Sequence, residues 1–86
     1  MSDTLGLLEE SRQLARELGY EICEEPLGDL PGGPCQVGGR DRILLNIEYP
    51  PSDQLAVLVA ALATDPRVAQ EPTSRLLAER LAQAVR

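Results

Sequence analysis

Cys23 and Cys35 are the residues best suited to chemistry in this chain of 86 residues. Two thiols can form a redox pair, or half of a metal site shared between two copies. Their separation of twelve positions is not a C-x-x-C spacing. Two thiolates cannot complete a tetrahedral zinc site alone. The preferred expectation is plainer: two small, buried side chains on neighbouring strands. Adjacent strands can bring two cysteines within bridging range, but spacing does not establish the geometry.

The chain contains no histidine. That removes the usual general base, the Ser-His and Cys-His nucleophile pairs, and every His-based metal site. Carboxylates are the other source of acid–base chemistry. Glu21, Glu24, Glu25 and Asp29 cluster, with Glu48 on a possible neighbouring strand. A paired-carboxylate enzyme needs two such groups facing across a pocket. A hard cation needs several converging oxygens, and no calcium-loop spacing is present. A solvated acidic edge that discourages aggregation accounts for the same residues. The loop from Gly28 to Gly33 is glycine-rich but lacks the Lys-Ser/Thr ending of a P-loop, and a strand follows it. Arg40 and Arg42 flank a turn, where solvated arginines are the default. No catalytic, cofactor-binding or metal-ligating set emerges, so a non-enzymatic chain without a cofactor is expected.

The elements that must position these residues read clearly in the middle of the chain. Cys35 to Val37 is a short strand, and Gly38-Gly39 supplies the positive φ angles of a tight hairpin. Arg42 to Tyr49 is the best strand, with Ile43, Leu45 and Ile47 on one face. Pro50-Pro51 ends it and opens a helix. That helix is unbroken apolar sequence from Leu55 to Ala63. Leu55, Leu58, Val59 and Leu62 form the stripe that faces a core. Val57, Ala60 and Ala61 leave the rest of the surface apolar too, so they are expected in a second interface, against another helix or a partner. The segment is too short to span a membrane.

Before the hairpin, Asp3 or Thr4 caps an amphipathic helix that carries Leu7, Leu8, Ser11, Leu14 and Leu18 inward and stops at Gly19. Tyr20 to Glu24 follows as a strand, and Glu25 to Pro34 as a loop pinned by Leu27 and Leu30. After the central helix, Asp65-Pro66 starts a single turn. Pro72 interrupts, and a last helix runs from Thr73 with Leu77, Leu81, Ala84 and Val85 inward. The expected fold is one α+β domain over residues 1–86: a small three-stranded, largely antiparallel sheet and three helices, in the order α-β-β-β-α-α.

Composition narrows the partners. The net charge is −6, and all eight basic residues are arginine, a usage that fits a GC-rich genome. An acidic chain without a basic run is a poor match for nucleic acid or for anionic membranes. MSDTLGLLEE lacks the positive flank and apolar core of a secretion signal. With two cysteines, a reduced, cytoplasmic protein is expected.

The middle of the chain resembles a set of small, uncharacterised bacterial proteins. The likeness rests on Gly32-Gly33-Pro34-Cys35, the Gly38-Gly39 turn, the strand Ile43 to Ile47 and the helix Leu55 to Ala63, with Pro72 and Arg75 opening the last helix. It carries no activity to transfer. A more distant likeness is to minimal zinc metallopeptidases, where a strand similar to RILLN precedes an apolar helix bearing HExxH. Here that helix reads VLVAALA, so the likeness implies a metal-free relative without peptidase chemistry. The expectation is a small protein-interaction or accessory module, able to self-associate as a homodimer. The alternative is a redox or metal-responsive module using Cys23 and Cys35.

Overall fold

A computed structural model describes residues 3–85. Helix α1 spans Thr4–Glu17, strands β1 Glu21–Glu25, β2 Gly32–Val37 and β3 Arg40–Asn46, helix α2 Pro51–Ala63, and helix α3 Arg75–Ala84. A 3-10 helix, Pro66–Gln70, lies between α2 and α3. The expected element order and α+β class hold.

Several boundaries have a local cause, although Asp3, at the N-cap of α1, makes no side-chain cap hydrogen bond. Gly19, at φ +94°, ends α1, with the Gly19 and Tyr20 amides donating back to the Arg16 and Ala15 carbonyls. That is the Schellman pattern, which needs a residue free of a Cβ at the left-handed position. Gly38 and Gly39, at φ +59° and +79°, form the two-residue turn between β2 and β3. Asp65 caps the 3-10 helix by accepting from the Arg67 amide at 2.9 Å. Ser74 caps α3 by accepting from the Leu77 amide at 3.2 Å. Glu10 of α1 reaches the same point, accepting from the Ser74 amide at 2.8 Å and its hydroxyl at 2.6 Å. One carboxylate thus ties the start of α3 to α1.

The core is aliphatic. Ile43 and Leu45 of β3 are fully buried with Leu55, Leu58 and Leu62 of α2, beside Leu7, Leu8, Leu14 and Ala15 of α1 and Leu77 and Leu81 of α3. The whole expected stripe of α2 is buried. Helix α2 contacts both the sheet and the other two helices, and α3 packs on α1 and α2.

The sheet differs from the expectation. Its strand order is β1-β3-β2, with β2 antiparallel to β3 but β1 parallel to it. The sheet is mixed, not largely antiparallel. The cause is the loop between β1 and β2, which crosses over the end of β3 and drops the chain on the far edge. Asn46, 1% exposed at that end of β3, holds the crossing. Its Oδ1 accepts from the Leu27 amide at 3.2 Å and the Glu48 amide at 2.9 Å. Its Nδ2 donates to the Gly28 carbonyl at 2.9 Å and the Leu30 carbonyl at 2.8 Å. All four hydrogen-bonding sites of the amide are used. The loop is further fixed by the Tyr49 hydroxyl, which donates to the Asp29 carbonyl at 2.7 Å.

Strand boundaries also move. β2 begins at Gly32, inside the segment expected as loop, and β3 ends at Asn46 instead of Tyr49. Ile47 therefore lies past the sheet and is about half exposed, as is Leu76 on α3, and Val85, just past the end of α3, is exposed too. Leu30 is exposed as well, so only Leu27 of the loop is partly covered. The inward stripe of α3 is two residues deep, Leu77 and Leu81, and Ala84 and Val85, expected inward, are exposed.

Candidate functional site

Strand alternation sorts the sheet into two faces. Ile22, Glu24, Ile43 and Leu45 point towards the helices, and the Glu24 carboxylate meets Arg12 of α1 at 3.1 Å. Glu21, Cys23, Cys35, Val37, Arg42 and Leu44 share the other face by register. None of these six is fully buried, and Val37 is 52% exposed. Arg42 Nε lies 3.2 Å from Glu21 Oε2 across that face. This second face is an open, mixed surface, with Leu44 in its middle strand and a thiol on either side.

Both cysteines are free and half-buried. They do not lie on neighbouring strands, which corrects the sequence expectation. Cys23 stands level with Leu44 from β1 and Cys35 level with Arg42 from β2, with β3 between them. Two strand spacings put their Cα atoms roughly 10 Å apart or more. A disulfide needs a Cα separation below about 7 Å. Within one chain the two thiols cannot bridge. Among the described residues, no group of three or more His, Cys, Asp or Glu side chains is placed to hold a metal ion.

The three α2 positions expected in a second interface separate in the structure. Ala61 is buried by the chain itself, Val57 is half-buried, and Ala60 is exposed. Of the acidic cluster, Glu21 and Glu24 are each paired with an arginine, and Glu48 accepts from the Gly28 amide at 2.9 Å. The cluster is spread along both faces of the sheet and the crossing loop, so it does not converge on one point.

A second constellation was invisible in the sequence. The Tyr20 hydroxyl donates to Asp65 Oδ2 at 2.8 Å. Arg67 holds the same carboxylate with its Nη2 at 2.6 Å and its Nε at 3.0 Å from Oδ1. Arg67 also donates through Nη1 to the Leu18 carbonyl at 2.9 Å, and its guanidinium lies 5.7 Å from the centre of the Tyr20 ring. The Asp65 side chain is 7% exposed and Arg67 is 52% exposed. The Arg67 hydrogen bonds hold the Asp65 carboxyl well below the usual carboxylate range. The same bonds push the Arg67 guanidinium up, and burial with the Asp65 bond raises the Tyr20 hydroxyl. None of the three exchanges a proton near neutral pH, so the cluster cannot serve as an acid–base pair there. It clasps the end of α1 to the turn after α2.

Beside this clasp runs a groove of about 600 Å³ lined by Arg16, Tyr20, Glu21, Arg40, Asp41 and Arg67. Its arginines face carboxylates of nearly equal number, which gives it little net field for an anion. The one advance signal for the clasp was Asp65-Pro66, which marks a capped turn but not its partner 45 positions away.

Comparison with known proteins adds no family: no family model, no curated protein and no solved structure matches the chain. Among the described residues, no helix is long and apolar enough to cross a membrane.

Proposed function

We propose that this chain is a small, non-catalytic interaction module that docks through the open face of its sheet, on a second copy or on a protein partner. The observation that supports this reading is the position of Leu44. It lies in the middle strand, opposite the helix-covered face, level with Cys23 on one side and Gly33 on the other, with Cys35 beside Arg42 and Val37 beside Arg40 further along the same side. A sheet tends to cover its apolar side chains, and among the described residues none of Leu44 and its neighbours on this mixed face is fully buried. The chemistry of the residues agrees. There is no imidazole, and the most strongly shifted groups, Asp65 and Arg67, spend their charges on each other.

Leu44→Arg tests the proposal, since it changes the open face and leaves the buried Ile43 and Leu45 alone. Light scattering on the purified protein reads self-association, and affinity co-purification from the host reads a partner. The expected result is a dimer or a reproducible partner with the native chain, and its loss with Leu44→Arg at unchanged circular dichroism. A strict monomer that captures nothing, or an association indifferent to Leu44→Arg, overturns the proposal.

A further inference from the structure

No further inference is drawn: the strongest candidate, the groove between the 3-10 helix and α3 lined by Ala63, Val68, Ala69, Ala78, Ala82 and Val85, is an unpartnered apolar surface, and nothing in the structure shows what covers it.

Discussion

Tyr20 and Asp65 meet at 2.8 Å although 45 positions separate them. The bond joins Tyr20, the third residue after α1, to the turn after α2, so it staples the C-terminal ends of two helices that pack on each other. Arg67 completes the staple, donating to both the Asp65 carboxylate and the carbonyl of Leu18, the C-cap of α1. A cation at a helix C-terminus is favourable in itself, because the unpaired carbonyls there carry partial negative charge.

The staple makes a pH prediction. The Asp65 pKa is lowered in the folded chain, so its contribution is fully present above the ordinary carboxylate range, near pH 4. It is lost as pH falls below that range, where the unfolded chain binds the proton more readily. The Tyr20 pKa is raised, so its contribution is present below about pH 10 and is lost as pH rises beyond it. Urea unfolding of the native chain and of Asp65→Asn checks the acid limb. The native chain is expected to be the more stable at pH 7, with the gap closing towards pH 2. A gap that is the same at both pH values would show that Asp65 acts by packing alone.

Asn46 is expected to be the most sensitive polar residue in the fold. Asn46→Ala strands two amides and two carbonyls at the point where the chain crosses β3. Leaving buried polar groups unpaired costs about 1–3 kcal/mol each where water cannot reach them. The loop is partly open to solvent, so a total loss of about 3 kcal/mol is expected, read from the urea midpoint. Asn46→Asp is expected to be no milder, since a carboxylate would face the Gly28 and Leu30 carbonyls. A loss under about 0.5 kcal/mol, the range of ordinary surface changes, would show that the crossing does not depend on this amide.

The same residue explains how far the sequence can be read. The helices were legible because their signals are local: the apolar stripe of α2, Gly19 after α1, and Asp65-Pro66 before the 3-10 turn. The hairpin was legible from Gly38-Gly39. The parallel pairing of β1 with β3 was not, because it depends on which edge the crossing loop delivers β2 to. That choice is held by Asn46, which in the sequence looks like one more outward polar residue on a strand. The start of β2 was hidden for a related reason. Gly32, Gly33 and Pro34 have loop composition, yet an edge strand tolerates a proline whose missing N–H faces away from the ladder. Pairing Val37 with Arg40 next to the turn places Pro34 at such a position, opposite Ile43. The candidate site was half legible. Cys23 and Cys35 were found, but their separation by β3 follows only from the strand order.

Two glycines in the crossing region give a paired test. Gly28 has φ +62° with open space where a Cβ would stand. Gly28→Ala is therefore expected to cost only the left-handed backbone term, about 1 kcal/mol. Gly32 has φ +90°, and a Cβ there would collide with the Leu44 carbonyl of the central strand. Backbone cannot swing aside as a side chain can, so β2 must separate from β3. Gly32→Ala is expected to cost about 3 kcal/mol or more, adding the collision to the strain. Thermal unfolding of the two variants side by side checks the difference. Equal losses would mean that β2 is not seated against Leu44.

The cysteines offer the sharpest test of the strand order. With β3 between them, Cys23 and Cys35 lie roughly 10 Å or more apart at Cα, and neither strand can move towards the other without expelling Ile43 and Leu45 from the core. Mild oxidation of the dilute native protein is thus expected to leave the monomer without an internal disulfide, and mass spectrometry should find no loss of two hydrogens. Any oxidised product should join two chains, because both thiols are half-exposed on the open face. If that face mediates association, the cross-linked dimer should form faster in the native chain than in Leu44→Arg. An internal Cys23–Cys35 bond in a chain that keeps its circular dichroism would place β1 beside β2, and that would overturn the order β1-β3-β2 itself.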